Sequence, residues 1–291
     1  MTAELDKMYN SFQCIDGYRL ASTIYTPSEN RANGNAILFA PATGMKRGFY
    51  NSLASHLTLR GYACLTFENR GIGDSLQNSL KDCRASLVDW GALDLAGAFN
   101  ELQTCFPNHK YHIIGHSAGG QLIGLIPNWK DISSVFNFAC SSGQIDQITA
   151  PFRYLARFFM EIYIPISNKL FGYTKSELIG MGEPLPAQVA IDWRNWCNAQ
   201  GYVETDFGKR IKEHWFYNID CPGLWVNASD DAIANNDNVD DMTRVFKKMP
   251  IERIELNPLD EGPGKIGHMK FFSKKSKKLW PYLTNWLEKH S

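Results

Sequence analysis

The chain has 291 residues, of which 44% are hydrophobic and 21% are charged. This length and composition are typical of a globular protein with one large domain, with or without an insertion. Thirty basic residues balance thirty acidic ones, so no bulk positive field favours nucleic acid as a partner. The seven cysteines include no CxxC pair, which argues against a disulfide framework or a zinc site. We expect no metal and no other cofactor.

The first residues, Met1 to Lys7, are polar and acidic and lack the apolar core of a signal peptide. No uninterrupted apolar run in the sequence has the length of a membrane span. We therefore expect a cytoplasmic protein without stable membrane insertion.

Short apolar runs of strand length alternate with segments of helical periodicity, which is typical of an α/β fold with a mainly parallel sheet. The first two strands are predicted within Phe12 to Pro27, around the Asp16-Gly17 dipeptide that favours a hairpin turn. Ser86 and Asp89 are placed to cap a helix. Further strands are predicted at 35–41, 62–67, 111–115, 134–139, 222–228 and 251–256, and helices at 49–60, 86–105, 237–248 and 271–288.

The alternation stops between about 144 and 220, where we find no clear strand and many aromatic residues. Pro165, Pro184 and Pro186 divide this segment into pieces. We interpret residues 144–220 as a helical cap inserted into a core domain formed by 1–143 and 221–291. The alternative is that these helices belong to the core of the same domain.

One motif carries chemistry: Gly115-His-Ser-Ala-Gly119 matches G-x-S-x-G. A predicted strand precedes it, and an apolar segment with Leu122 and Leu125 follows, so a strand–turn–helix is expected with Ser117 at its apex. A serine in so tight a turn adopts a strained backbone, and small residues on either side avoid clashes. The pattern predicts Ser117 as a nucleophile; the alternative is a glycine-rich turn that serves packing only.

A serine hydroxyl needs a base within hydrogen-bond reach and an acid that orients the base. After a nucleophile elbow, the acid and then the histidine follow in chain order. His268 lies after the last predicted strand and fits this order, whereas the other six histidines do not fit by order or by place. The acid is predicted directly after the strand ending at Ala228, where Asp230 and Asp231 compete.

The tetrahedral intermediate of acyl transfer needs two backbone N–H donors. One is expected from Ala118, the residue after the nucleophile, and the other from the loop after the strand at 35–41. In that loop, we predict the N–H of Thr43 as the second donor. Loss of one such donor costs ~10²–10³ in rate, so this loop matters almost as much as the three side chains.

These residues resemble the α/β-hydrolase superfamily over nearly the whole chain apart from the aromatic segment. Glu68-Asn-Arg-Gly-Ile-Gly-Asp-Ser75 is similar to the D-x-R-G-x-G-x-S segment of that family, with Glu68 in place of the usual Asp. Three further strings are most similar to a bacterial subgroup of hydrolases described as serine-aminopeptidase-like or lysophospholipase-like. They are Ala40-Pro-Ala-Thr-Gly44, Ser229-Asp-Asp231 and Ile266-Gly-His-Met-Lys-Phe-Phe272.

The resemblance implies an α/β-hydrolase fold, with a mostly parallel eight-stranded sheet, helices on both faces and a helical cap. In this family an apolar residue two positions after the acid commonly packs beneath the acid loop. Ile233 occupies that position relative to Asp231, so the resemblance favours Asp231 over Asp230. The oxyanion loop departs from many members, because Pro41-Ala42 stands where His-Gly is common.

We expect a serine hydrolase that cleaves a small-molecule carboxylic ester through an acyl-serine intermediate. The aromatic segment favours an apolar acyl group, because such pockets are largely apolar. Acyl transfer, thioester hydrolysis and peptide cleavage would use the same three residues and remain open. Two further hypotheses are a non-catalytic ligand-binding relative and a membrane-associated lipase. A dehalogenase is disfavoured, since its elbow nucleophile is a carboxylate.

Overall fold

The computed structural model describes residues 6–261 and 264–291. Residues 1–5 of the polar N-terminal segment, and Gly262 and Pro263 of the loop before His268, lie outside the described residues. The strands are β1 (Asp6–Gln13), β2 (Arg19–Thr26), β3 (Asn35–Ala40), β4 (Ala63–Phe67), β5 (Lys110–His116), β6 (Ile132–Phe138), β7 (Tyr173–Thr174), β8 (Leu185–Pro186), β9 (Gly223–Ala228) and β10 (Ile251–Leu256).

The helices fall into three kinds. The α-helices are α1 (Asn51–Thr58), α2 (Leu87–Asp89), α3 (Ala96–Cys105), α4 (Ala118–Gln121), α5 (Phe152–Phe158), α6 (Ile164–Phe171), α7 (Ala187–Cys197), α8 (Asn236–Thr243), α9 (Pro258–Glu261) and α10 (Trp280–His290). Two π-turns span Trp90–Leu95 and Phe159–Tyr163. Turns of 3₁₀-helix span Arg47–Tyr50, Gly73–Ser75, Leu80–Asp82, Ile123–Leu125, Trp129–Asp131, Ile145–Gln147, Ser176–Ile179, Tyr202–Asp206, Lys270–Phe272 and Lys274–Leu279.

Eight strands form one sheet in the order β1–β2–β4–β3–β5–β6–β9–β10. β2 pairs antiparallel with β1 and with β4, and every later pairing across the sheet is parallel. Every residue of β3, β4 and β9 is buried, as expected for parallel strands covered on both faces. The predicted mostly parallel eight-stranded sheet is confirmed.

Local turn and capping chemistry matches the expectations at two places. The β1–β2 hairpin turns at Asp16-Gly17, with Gly17 at φ +81°. Ser86 and Asp89 form a reciprocal capping box at the start of α2, which continues through the first π-turn into α3. The π-turn carries Asp94, which is fully buried and binds Arg70 with an Oδ1–Nε distance of 2.6 Å.

Several predicted boundaries were wrong for physical reasons. β1 begins at Asp6 rather than near Phe12. The prediction missed its start because most side chains of this strand are exposed and show no apolar alternation. The last helix was predicted at 271–288, yet 3₁₀ turns occupy 270–279 and α10 begins only at Trp280. Four lysines lie within 274–278, and like charges on successive turns disfavour an α-helix. The helix predicted at 237–248 ends at Thr243.

The loop after β4 is fixed by buried ion pairs. Glu68 is buried, lies 2.8 Å from Arg47 and accepts a hydrogen bond from the Asp74 N–H. Gly73 has φ +50°, and a Cβ there would lie 2.6 Å from the Glu68 carboxylate. Glu68 therefore anchors the turn that Gly73 permits, which accounts for the tight glycine spacing of this segment.

The segment between β6 and β9 is mainly helical. α5, the second π-turn and α6 follow one another without interruption from 152 to 171. The expectation of no strand at 144–220 was wrong in one detail, because the two-residue strands β7 and β8 pair there. Asp192 of α7 is buried and accepts the N–H of Leu87 at 3.0 Å, which ties this segment to the start of α2.

Candidate active site

Ser117 lies at the apex of a sharp turn between β5 and α4, with φ +48° and ψ −118°. Positive φ is unusual for a residue with a side chain and reflects strain that the surroundings must hold. The Ser117 N–H donates to the carbonyl of Phe138 on β6 at 3.0 Å. This strained turn is the geometry that the G-x-S-x-G pattern predicts.

Two glycines let the turn close. A Cβ on Gly115 would lie 2.6 Å from the Cα of Gly120, and a Cβ on Gly119 would lie 2.1 Å from the backbone oxygen of Ala40. Real Cβ atoms do not approach other atoms so closely, so side chains here would push β3 and β5 away from α4. The helix that follows is shorter than expected: α4 ends at Gln121 and gives way to a 3₁₀ turn.

The structure brings Ser117, His268 and Asp231 into one hydrogen-bonded line. Ser117 Oγ lies 3.0 Å from His268 Nε2, and His268 Nδ1 lies 2.7 Å from Asp231 Oδ2. The other carboxylate oxygen of Asp231 accepts the N–H groups of Ile233 and Ala234 at 2.9 and 3.1 Å. The carboxylate is thus fixed by the backbone that follows it, and the imidazole is fixed by the carboxylate.

The two adjacent carboxylates, Asp230 and Asp231, are used differently. Asp231 is buried and contacts the imidazole, whereas Asp230 accepts the backbone N–H groups of Ile266 and Gly267 at 3.1 and 2.8 Å. Asp230 therefore holds the loop that carries His268. Ile233, the apolar residue two positions after Asp231, is half-buried and lines the cavity beside Ser117.

The Asp231–His268 contact stabilises the charged forms of both partners. Burial acts to raise the pKa of the Asp231 carboxyl, but the imidazole and the two backbone donors outweigh it and lower that pKa. Burial acts to lower the pKa of His268, but the charge of Asp231 and its hydrogen bond outweigh it and raise that pKa. The pair therefore favours an imidazolium next to a carboxylate, which is the charge state a general base reaches after it takes a proton.

The two predicted oxyanion donors, Thr43 and Ala118, belong to the loop after β3 and to the start of α4. Thr43 lines the cavity next to Ser117, and Ala118 is the buried first residue of α4. In residues 6–261 and 264–291, neither N–H donates to a protein acceptor. By contrast, the N–H of Ala42 donates to the Tyr50 hydroxyl at 2.9 Å and is therefore not free to bind an oxyanion.

A cavity of about 370 Å³ opens at Ser117 and His268. The core side contributes Thr43, Gln121 and a few serines, and the opposite wall is almost wholly apolar. That wall comes from the segment between β6 and β9, through residues that include Ile148, Phe152, Leu155, Phe159, Met160 and Trp193. A narrow polar strip at the serine and a long apolar wall suit a substrate with one polar reacting group and an apolar tail.

Sequence reasoning missed two residues beside the site. His116 was excluded as a base, yet its buried ring contacts the backbone of His268, with Nε2 2.9 Å from the carbonyl oxygen. Tyr50 contacts the other nitrogen of that ring, with Oη 3.0 Å from Nδ1. The only sequence signal for His116 is its place next to the nucleophile. No local pattern marks Tyr50, because these contacts join residues far apart in the chain.

In the described ranges, no group of three or more histidine, cysteine or carboxylate side chains is placed to hold a metal ion. No helix among those residues is both long and apolar enough to cross a lipid bilayer.

Comparison with known proteins identifies the fold. The family profile described as alpha/beta hydrolase fold matches residues 35–125, which include β3 to β5 and the turn at Ser117. The structure of a soluble variant of monoglyceride lipase from Saccharomyces cerevisiae, in complex with a substrate analogue, is similar at a TM-score of 0.68 and 18% identity. That comparison covers 100% of this chain and 96% of the lipase chain.

Two esterase structures are similar as well. An esterase of Pyrococcus furiosus has a TM-score of 0.62 at 14% identity, with coverage of 98% of this chain and 93% of the esterase. The esterase domain of a Rhodothermus marinus protein has a TM-score of 0.58 at 16% identity, covering 98% and 99%. No curated protein sequence matches the chain. The chain therefore has the α/β-hydrolase fold, and its distant structural neighbours include esterases and lipases.

Proposed function

We propose that the protein is a serine hydrolase that cleaves carboxylic esters with an apolar acyl group. The observation that carries this proposal is the line from Ser117 Oγ through the His268 imidazole to Asp231, with distances of 3.0 and 2.7 Å. These distances are within hydrogen-bond reach for a nucleophile, its base and the group that orients the base. The strained backbone of Ser117 supports the same assignment, since it exposes the hydroxyl to the cavity.

In the first half-reaction, Ser117 Oγ attacks the carbonyl carbon of the ester while His268 Nε2 takes the hydroxyl proton. The carbonyl π electrons move to oxygen, and in this proposal the N–H groups of Thr43 and Ala118 donate to that negatively charged oxygen. The oxyanion then re-forms the carbonyl and expels the alkoxide, which takes the proton from His268. The acyl group is left on Ser117, and Asp231 stays ionised throughout.

In the second half-reaction, a water molecule attacks the acyl carbon and gives a proton to His268. Collapse of the second tetrahedral intermediate breaks the bond to Ser117 Oγ, which recovers its proton from the imidazole. The carboxylic acid leaves. The balance needs only the ester and water, so no cofactor enters.

Residues 144–220 act, in this proposal, as a cap that selects the acyl group. Phe159, Met160 and Trp193 supply apolar surface to the cavity wall, and burying apolar surface contributes roughly 25 cal/mol per Å². An acyl chain against this wall therefore gains binding free energy with its length, until the cavity of about 370 Å³ is filled.

The test is steady-state hydrolysis of p-nitrophenyl esters with short, medium and long acyl chains by the intact protein and by Ser117→Ala. We expect turnover that is greatest for an intermediate chain length and that falls by ~10⁶ in the variant. If folded protein hydrolyses no ester, thioester or amide in a broad panel, the proposal is wrong, and a ligand-binding role for the cavity becomes the better account.

A further inference from the structure

A buried series of three hydrogen bonds links the loop at Ala42 to the loop at His268. It begins at the Ala42 N–H in the oxyanion loop, passes through the Tyr50 hydroxyl and the His116 ring, and ends at the carbonyl of His268. The three distances are 2.9, 3.0 and 2.9 Å. Tyr50 is 1% and His116 0% exposed, so both side chains are shielded from bulk water.

The direction of every bond in this chain is fixed by elementary chemistry. A carbonyl oxygen only accepts, so His116 Nε2 must carry the proton given to His268. In a neutral ring Nδ1 is then an acceptor, and the Tyr50 hydroxyl must donate to it. The Tyr50 oxygen in turn accepts from the Ala42 N–H. One tautomer of a neutral His116 thus satisfies all four groups.

The surroundings keep that ring neutral. The side chains of Phe49 and Phe272 lie against it, with ring centroids 5.9 and 4.6 Å away. Burial, with a smaller contribution from the nearby His268 imidazole, lowers the pKa of His116 to about 3. A charged imidazolium here would have to donate from Nδ1 and would oppose the Tyr50 donor.

The hydrogen bonds from Ala42 to His268 connect the two loops that the proposed chemistry needs. At one end, the Ala42 N–H is held by Tyr50 and the Ala42 carbonyl accepts the Met45 N–H at 3.1 Å. Because the Ala42 carbonyl and the Thr43 N–H belong to one planar peptide, fixing the first orients the second. At the other end, His116 fixes the backbone of His268, whose imidazole contacts Ser117.

From this geometry we infer that Tyr50 and His116 are positioning residues that hold the oxyanion loop and the base loop in register on either side of Ser117. Neither side chain touches the reacting atoms. Their contribution is to keep Thr43 and His268 at fixed distances from the same acyl carbon, where an error of about 1 Å costs ~10² in rate. The kinetic consequence rests on the proposed function.

The experiment compares Tyr50→Phe with Tyr111→Phe. Both substitutions remove one buried hydroxyl, and Tyr111 donates to the Phe106 carbonyl at 2.9 Å at the far end of β5. Thermal unfolding first establishes that both variants fold. We expect Tyr50→Phe to lower kcat for ester hydrolysis by about 10- to 100-fold with little change in KM, while Tyr111→Phe keeps both parameters.

Two variants of His116 sharpen the result. His116→Gln keeps an amide that can donate to the His268 carbonyl, whereas His116→Phe keeps none, so the Gln variant should retain more activity. In the double variant Tyr50→Phe/His116→Phe, the loss of kcat should be smaller than the product of the two single losses, because both substitutions break the same Tyr50–His116 bond. Additive losses, or a Tyr50→Phe variant within about twofold of the intact kcat, would overturn the inference.

A readout without turnover separates this inference from the proposed function. In ¹⁵N-histidine NMR spectra, His116 should be the neutral Nε2–H tautomer. The downfield proton between His268 and Asp231 should shift in Tyr50→Phe and stay in place in Tyr111→Phe. An Nδ1–H tautomer at His116, or an unmoved proton in Tyr50→Phe, contradicts the inference even if the protein hydrolyses esters. Absence of hydrolysis with the expected spectra contradicts only the proposed function.

Discussion

The two walls of the cavity at Ser117 are built in different ways. On the sheet side, each group is held by hydrogen bonds that involve the backbone. The Ser117 N–H donates to the Phe138 carbonyl, Asp231 accepts two N–H groups that follow it, and Asp230 accepts an N–H of the His268 loop. On the opposite side, the segment between β6 and β9 contributes mostly apolar side chains to the cavity wall.

The outer surface of that segment differs from the sheet as well. Large apolar side chains at a spacing of four residues along the helix from 152 to 171 are 47–71% exposed: Tyr154, Phe158, Ile162, Ile166 and Leu170. The central strands β3 and β9 are buried throughout. Reacting groups held by hydrogen bonds, facing an apolar wall, separate reaction rate from substrate choice. Changes on the sheet side should therefore alter the rate for every ester, and changes on the helical side should alter which ester is preferred.

The largest expected contrast is between two neighbouring carboxylates on the sheet side. Asp231→Asn should lower kcat by ~10⁴, because the imidazole loses the acceptor that fixes its tautomer. Asp230→Asn keeps that contact and loosens only the loop backbone, so its loss should be nearer ~10²-fold. Steady-state kinetics on one ester measures both. Equal losses, or a greater loss in the Asp230 variant, would reverse the assignment of the two residues.

A second contrast lies on the two faces of one helical stretch. Met160 is buried against the cavity, whereas Phe158 points outward and is 50% exposed. Met160→Ala widens the acyl pocket and should change the ratio of kcat/KM between long and short acyl esters by about tenfold in favour of the long chain. Phe158→Ala is the matched control and should leave the ratio unchanged. An unchanged ratio of kcat/KM in the Met160 variant would show that this wall does not determine the preferred acyl length.

The elbow offers a test of how tightly the sheet side is packed. A Cβ at position 119 would meet the Ala40 backbone at 2.1 Å, while one at the exposed Gly48 has its nearest neighbour at 3.7 Å. Gly119→Ala should lower the free energy of unfolding by about 1–3 kcal/mol through overpacking, and it should lower activity with it. Chemical denaturation of both alanine variants measures the difference. Similar free energies of unfolding for the two variants would show that the turn accommodates a methyl group at position 119.

The smallest expected effect is a displacement of the pH profile. As a base, His268 works in its neutral form, and its pKa is raised by Asp231 against the opposing effect of burial. Activity should therefore increase with pH and level off only above the ordinary histidine value of about 6.5. In Asp231→Asn the carboxylate that raises the pKa of His268 is gone, while burial still lowers that pKa. An NMR titration should therefore find the pKa of His268 below about 6.5. A value that stays raised would mean that Asp231 is not its cause.

Local rules predicted much of this arrangement and failed where long-range packing decides. The tight turn at Ser117 and the capping box at Ser86 depend on residues a few positions apart, so the sequence pattern was sufficient. Chain order was enough to choose His268 and to reduce the acid to two neighbours, Asp230 and Asp231. Between those two, the backbone donors that orient Asp231 were not visible in the sequence.

The contacts of Tyr50 and His116 show the limit of sequence reasoning. They join residues 66 and 152 positions apart, and their geometry exists only once β3, β5 and the His268 loop are packed together. The boundaries of β1 and of the last helix were misjudged for a different reason. An exposed edge strand and a lysine-rich 3₁₀ turn carry no apolar periodicity that could mark where they begin.

The measurement that tests the central claim most directly is covalent labelling by a fluorophosphonate probe, read by mass spectrometry of the intact protein and of its peptides. One probe adduct on the peptide that contains Ser117, absent in Ser117→Ala and strongly slowed in His268→Ala, is the result this account predicts. Folded protein that gains no adduct, or an adduct on another residue that persists in Ser117→Ala, would contradict the claim that Ser117 is an activated nucleophile.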